Sequence, residues 1–362
     1  MSWTSPSDPA PLREREELDS LLPYSAATKG GTPVTVRASS NEASDGVSPA
    51  VLDAVTRRLA TINRYPQLGL GDLAATIAEH VGAAPDEVIA ADGSLSVLNY
   101  LLLTYCPPGS QVVMAWRSYE AYPICVRTAG AQPVAVPNSP DGGHDLPAIL
   151  AAIGPQTSAV LLCTPNNPTG TAIAHDALAA FIEQVPQRVL VVVDEAYLDF
   201  ATAGDVVRTR ELMAHHGNVV SLRTFSKAWG LAGIRVGYLV ASAAICLAVR
   251  KILPPFPVNA LAEAAIPAAL TDPAFRRRIV TTAVGQRAEV FAVLDRHGLP
   301  HSDSQANFVW LPLGERSDEL GALCARLGMS TRVFTGEGIR ISLGEPDVVP
   351  TLARALELFP RD

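Results

Sequence analysis

The sequence predicts an α/β protein: a large domain with a mostly parallel central sheet flanked by helices, plus a smaller α+β domain. Three observations predict it. From about residue 72 onward, helical patterns alternate with short apolar segments, the order that a parallel sheet covered on both faces requires. Those segments are nearly continuous in their apolar residues, as strands buried on both sides must be. After Pro254-Pro255-Phe256-Pro257 the order changes to a long helical stretch, two strands and a closing helix.

Taken in order, strands are expected at 111–116, 132–136, 159–163, 189–193, 219–223 and 234–240. The apolar run at 189–193 stops at Asp194. A carboxylate is thereby set at a strand's C-terminal end, where open α/β sheets bind their ligands. In the second part a helical region is expected over 260–296, strands near 307–311 and 338–342, and a helix near 348–358. The expected division is an N-terminal extension at 1–44 that joins the small domain and a partner subunit, a large domain at 45–255 and a small domain at 256–362.

Composition narrows the class. A chain of 362 residues with 48% hydrophobic and 18% charged residues fits a well-buried globular enzyme of two or three domains. A formal net charge of −8 disfavours nucleic acid as a partner. The basic run Arg276-Arg277-Arg278 falls in a helical stretch and reads as a solvated helix face. The first residues lack the basic and apolar regions of a secretory signal. The longest weakly polar stretch, 237–249, is far short of the ~20 residues that cross a bilayer, so no membrane partner is expected. Five scattered cysteines, none at metal-ligand spacing, read as core residues in a reducing compartment. No metal site is expected, and the cytoplasm is the expected location.

Four segments carry chemistry. In Ser221-Leu222-Arg223-Thr224-Phe225-Ser226-Lys227, a lysine follows a buried strand, with hydroxyls at Thr224 and Ser226 and with Arg235 eight residues on. Alone, Lys227 reads as a surface lysine. With its neighbours it offers an amine that an electropositive pocket can keep neutral, beside the hydroxyl and guanidinium donors a phosphate needs. The segment Thr164-Pro165-Asn166-Asn167-Pro168 also follows a strand, though Asn and Pro make turns by themselves. Asp194, in Asp194-Glu195-Ala196-Tyr197, can keep a pyridine nitrogen protonated, which makes the ring an electron sink. Gly93-Ser94-Leu95 opens a helix, where free backbone amides cradle a phosphate or serve only as a cap.

Together these segments resemble the fold-type I pyridoxal-phosphate aminotransferases, in the branch of the histidinol-phosphate and aromatic (phenylalanine) aminotransferases, from about residue 22 to 358. The resemblance implies that Lys227 carries pyridoxal 5′-phosphate as a Schiff base and moves the substrate's Cα proton. It implies that Asp194 pairs with the pyridine nitrogen, that Asn167 and Tyr197 hold the phenolic oxygen and that Tyr119 stacks on the ring. Gly93, Ser94 and Leu95, with Thr224, Ser226 and Arg235, match the phosphate cradle. Tyr65 matches a tyrosine that reaches the phosphate from a neighbouring subunit, which implies a homodimer with shared sites. Arg340 matches the clamp on the substrate α-carboxylate, and Asn41 and Asn307 lie at motif positions near the substrate.

The implied reaction moves the amino group of one amino acid to a 2-oxo acid, with 2-oxoglutarate expected as acceptor. Tyr24 and Arg332 match positions at the substrate's side-chain end in histidinol-phosphate enzymes. The segment Trp116-Arg117-Ser118-Tyr119 instead resembles the phenylalanine aminotransferases, and Trp310 and Trp229 strengthen that likeness. An aromatic donor is therefore expected, with histidinol phosphate as the alternative and threonine-phosphate decarboxylation as a remoter one. An aminotransferase-like regulator would need a DNA-binding domain for which the residues before Asn41 leave no room. Loss of catalysis sits poorly with Lys227, Asp194, Asn167, Tyr197, Arg235 and Arg340 all being present.

Overall fold

The structure, a computed structural model, describes Leu21 and residues 33–360. Its strands are β1 (Val36–Arg37), β2 (Val88–Ala91), β3 (Gln111–Trp116), β4 (Gln132–Pro137), β5 (Thr157–Cys163), β6 (Leu190–Asp194), β7 (Val219–Thr224), β8 (Gly237–Val240), β9 (Phe308–Leu311), β10 (Met329–Ser330), β11 (Arg332–Phe334) and β12 (Gly338–Ser342). Seven of them form the central sheet in the order β2-β8-β7-β6-β5-β3-β4. The run from β4 to β7 is parallel, and β8 alone is reversed, antiparallel to both β7 and β2.

The apolar run of β6 explains its central place. Val191 and Val193 face one layer, with Val113, Val160 and Val219. Val192 faces the other, with Met114, Leu161 and Leu222. Successive side chains of a strand point to opposite faces, so a strand covered on both needs apolar residues throughout.

The helices are α1 (Pro49–Leu59), α2 (Gly71–Val81), α3 (Ser94–Tyr105), α4 (Tyr122–Thr128), α5 (Leu146–Ala151), α6 (His175–Gln184), α7 (Thr209–Met213), α8 (Ala243–Arg250), α9 (Ala260–Leu270), α10 (Pro273–Arg296), α11 (Ser317–Arg326) and α12 (Val348–Glu357). The single helical region expected over 260–296 is two helices. Asp272 caps the second by accepting from the Phe275 amide at 3.1 Å, and Pro273 occupies its first position. That pairing starts a helix rather than continuing one.

Beyond α9, β9, β11 and β12 form a three-stranded antiparallel sheet, and β1 pairs in parallel with β10. Phe308, Ile339, Leu320 and Leu352 share one apolar cluster there with Val36. The stretch around Val36 thus packs on this second part, while the earlier residues of the expected extension lie outside the described residues. The run Arg276-Arg277-Arg278 is on α10, but it is not all a solvated face. Arg276 reaches inward to Asp199, and Arg278 pairs with Asp45 at 3.2 Å.

Candidate active site

The carboxyl ends of β2, β3, β5, β6 and β7 open on one side of the sheet, and a cavity of about 640 Å³ lies there. From these ends come Gly93, Ser94 and Leu95, then Tyr119, Asn167, Asp194 and Tyr197, and finally Thr224, Ser226, Lys227 and Arg235. The second part of the chain supplies Arg332 from β11 and Arg340 from β12, and the segment after β1 supplies Asn41 and Glu42. Residues far apart in sequence converge because parallel strands all end on one edge.

Lys227 is half-buried, and its Nζ donates to the Ser40 carbonyl at 3.2 Å and sits 5.7 Å from the Tyr197 ring centroid. Loss of solvent, with the guanidinium groups of Arg340 and Arg235, lowers its pKa to about 8 against the smaller pull of Glu42 and Asp194. About a tenth of it is therefore neutral amine at pH 7, where an ordinary lysine is almost wholly charged.

Asp194 is buried and held at both oxygens. Tyr122 Oη donates to Oδ2 at 2.6 Å, and the Ala196 amide donates to Oδ1 at 3.0 Å. Burial raises this carboxyl to about 6, with the Tyr122 and Ala196 hydrogen bonds opposing the rise. It stays ionised above that pH and offers a negative charge in a place with little water.

Arg340 and Asn41 link the two parts of the chain. Arg340 Nη1 donates to Asn167 Oδ1 at 2.6 Å, and Nη2 donates to the Ser39 carbonyl at 2.5 Å. Asn41 Nδ2 donates to Tyr197 Oη at 3.0 Å, while Ser342 Oγ donates to Asn41 Oδ1 at 2.5 Å. Burial holds the Tyr197 hydroxyl well above the usual phenol range, despite the opposing charge of Arg340. Asn307 is buried beside this network and its Nδ2 donates to the Asn41 carbonyl at 3.3 Å, though it does not line the cavity.

At the far side, Gly93 precedes α3 with φ +89°, a conformation that favours glycine. A Cβ there would lie 2.5 Å from Arg235 Nη2, and one at Gly237 would lie 2.0 Å from the Ser94 amide nitrogen. Gly93 thus lets Arg235 lie directly against it, and Gly237 lets the start of α3 pack on β8, so that the start of α3, Arg235, Thr224 and Ser226 stand together at one end of the cavity. Thr224 Oγ1 accepts from the Ser226 amide at 3.0 Å, which fixes the turn leading to Lys227. Arg235 adopts φ +59°, a costly conformation for a side-chain-bearing residue, and it lowers the Lys227 pKa from this end of the cavity.

Some sequence-predicted residues stand elsewhere. Tyr65 is 79% exposed, stacks on Phe256 with centroids 4.5 Å apart and does not line the cavity. Tyr24 lies outside the described residues. The two tryptophans that strengthen the likeness to the phenylalanine aminotransferases are buried and do not line the cavity. Trp310 packs edge-on against Phe334, and Trp229 lies among Leu73, Ile77 and Phe225. Arg332 lines the cavity as expected, but its guanidinium is gripped by both oxygens of Glu120, with Nη2 2.9 Å from each. Glu120, Tyr122 and Glu42 were not foreseen as site residues. The first two sit in the same short segment as Tyr119, which was.

Comparison with known proteins follows the same lines. The family described as aminotransferase class I and II matches residues 35–356. The chain is 42% identical to an aromatic amino acid aminotransferase of Rhodococcus opacus (strain B4), over 92% of each protein. It is 40% identical to an aromatic amino acid aminotransferase of Thermobifida fusca (strain YX), over 98% of this chain and 99% of the other. The crystal structure of histidinol-phosphate aminotransferase from Sinorhizobium meliloti in complex with pyridoxal-5′-phosphate superposes with a TM-score of 0.86 at 28% identity, covering 98% of this chain and 99% of that one. The chain belongs to the class I and II aminotransferases and has their fold-type I architecture.

Proposed function

We propose that this protein transfers the amino group of an aromatic amino acid, phenylalanine-like, to a 2-oxo acid such as 2-oxoglutarate, with pyridoxal 5′-phosphate as cofactor. The observation that carries the chemistry is Lys227, an amine with a pKa near 8, in one cavity with the buried carboxylate of Asp194 and the guanidinium of Arg340. The donor is supported by the likeness to the two aromatic amino acid aminotransferases.

The residues present fit the cofactor. The end of the cavity where the start of α3 meets Thr224, Ser226 and Arg235, an approach that Gly93 and Gly237 permit, suits a phosphate. When bound, the cofactor supplies an aldehyde for the lysine and a ring that draws electrons from the substrate's Cα. Asp194 would hold a proton on the ring nitrogen, Asn167 and Tyr197 would hold the phenolic oxygen, and Tyr119 would cover the ring. Lys227 Nζ is the group placed to take and return the substrate's Cα proton. Arg340 would donate two parallel hydrogen bonds to the α-carboxylate, the geometry that a guanidinium matches best. Asn41 and Asn307 would keep Tyr197 and the Arg340 side of the cavity in place.

We read residues 45–255 as the large cofactor-binding domain, 256–362 as the small domain and 1–44 as an extension between the small domain and a second copy. A homodimer is supported by the exposed apolar residues Ile62, Leu68 and Tyr65, the last stacked on Phe256, which a second copy would cover while bringing Tyr65 to its site. Five free, buried cysteines support a reducing compartment, and we read it as the cytoplasm. No helix among the described residues is long and apolar enough to cross a membrane.

Steady-state kinetics with L-phenylalanine and with L-histidinol phosphate, each with 2-oxoglutarate, tests the donor. A higher kcat/KM for phenylalanine is expected. A far higher value for histidinol phosphate would move the protein to the alternative reading.

A further inference from the structure

We infer that Glu120 is a specificity-determining residue: it cancels the charge of Arg332 so that one cavity accepts uncharged aromatic side chains and rejects dianionic ones. Arg332 projects into the cavity from β11, where an anionic end of a substrate would meet a guanidinium. Glu120, in the loop between β3 and α4, takes Nη2 at 2.9 Å to each of its oxygens and Nε at 3.2 Å. Both side chains are largely withdrawn from solvent, with Arg332 at 11% and Glu120 at 27%. Charges in such surroundings are weakly screened, so the carboxylate's repulsion of an arriving phosphate offsets much of the guanidinium's attraction.

A cancelled guanidinium suits an exchange in which one cavity must take two unlike substrates in turn. A bare arginine would favour the acidic acceptor and any phosphate-bearing donor over an aromatic one. Paired with Glu120, it offers near-neutral surroundings to an aromatic ring, tolerates a singly charged carboxylate at a cost and excludes a doubly charged phosphate. The loop does not depend on this pair alone for its anchoring. Next to it Arg117 binds Glu337, with Nε to Oε2 at 2.8 Å, which also ties the loop to the segment between β11 and β12.

The test is Glu120→Gln, which keeps the shape of the side chain and removes its charge. The ratio of kcat/KM for L-histidinol phosphate to that for L-phenylalanine is expected to rise roughly tenfold or more, and the KM for 2-oxoglutarate to fall by a smaller factor. In Glu120→Gln combined with Arg332→Gln, the gain should vanish. Arg332→Gln alone leaves Glu120 bare and should raise the KM for 2-oxoglutarate, a readout that stands even if Glu120→Gln does not fold. An unchanged ratio in Glu120→Gln, a gain that survives in the double variant, or an unchanged KM in Arg332→Gln would each overturn the inference. The inference rests on the aromatic reading proposed above, and the wild-type enzyme tests that reading separately. A wild-type preference for histidinol phosphate removes both, whereas a preference for phenylalanine with an unchanged variant ratio removes only the role of Glu120.

Discussion

Two neighbouring carboxylates, Asp194 and Glu195, open onto two different cavities, and the contrast separates chemistry from scaffolding. Asp194 lines the large cavity with Lys227, Arg235 and Arg340. Glu195 lines a second cavity of about 260 Å³ with Asp199, Arg223 and Arg276. In the second, every charge is answered from within the chain. Ser221 and Thr209 donate to Glu195 at 2.5 and 2.7 Å, and Arg223 and Arg276 both bind Asp199. Burial pushes the Asp199 carboxyl up, but those two arginines more than offset it and hold the group below the usual carboxylate range. In the large cavity, with Arg332 cancelled by Glu120, Lys227, Arg235 and Arg340 outnumber Asp194 and Glu42. An internally balanced cluster holds a fold together. An unbalanced positive one suits anions, which in the function proposed above are a phosphate and a carboxylate.

The largest expected effect is at the unbalanced centre. Lys227→Ala should lower kcat by about 10⁴-fold, the upper range for a positioned acid–base group, and abolish borohydride trapping of the cofactor while the circular dichroism spectrum stays native. Turnover at the wild-type rate would remove Lys227 from the chemistry. Next come the paired substitutions that set the two cavities against each other. Asp194→Asn should cost about 10²-fold or more in kcat with little change in melting temperature. Glu195→Gln should instead destabilise the protein by about 2 kcal/mol, because it weakens the hydrogen bonds from Ser221 and Thr209 and removes the charge that faces Arg223 at 3.8 Å, and it should spare the activity of molecules that remain folded. The opposite pattern, with Glu195 carrying activity and Asp194 stability, would break the comparison.

The difference between the two cavities also marks what was legible in the sequence. Asp194, Asn167 and Lys227 could be read because each follows an apolar run that must be a buried strand, and because the three occur together; each alone has an ordinary structural use. The sheet was legible for the same reason, except at its margin. The run at 88–91 is short and β8 begins only at Gly237, because Ala232 to Arg235 form a turn that ends with Arg235 in a left-handed conformation. The break between α9 and α10 was carried by Asp272-Pro273 and was passed over within a long helical pattern. Tyr122 and Glu120 left no such trace. Their partners, Asp194 and Arg332, are 72 and 212 residues away, and no local pattern encodes a contact across that distance. Trp229 and Trp310 carried the family likeness without being site residues, because a large aromatic residue near a motif is as useful to a core as to a substrate.

The smallest effect expected concerns how Asp194 is tuned. The Tyr122 hydroxyl donates to the carboxylate from 2.6 Å and stabilises its charged form against burial, which has raised the pKa to about 6. The ionised carboxylate is the form proposed to act, so activity that depends on it is present above this pKa and is lost as the pH falls through it. Tyr122→Phe removes a hydrogen bond to a charge but leaves the ring that packs edge-on against Tyr119. The acid limb of the kcat/KM profile should then move to higher pH by about one unit, the worth of one such bond, with only a few-fold loss near pH 7. The same measurement on Glu195→Gln should leave the limb where it is, since Glu195 faces the balanced cavity and not the one that holds Lys227. A limb that moves with Glu195 and not with Tyr122 would mean that the two carboxylates are coupled through the strand end, and the separation into a chemical and a structural cavity would fail.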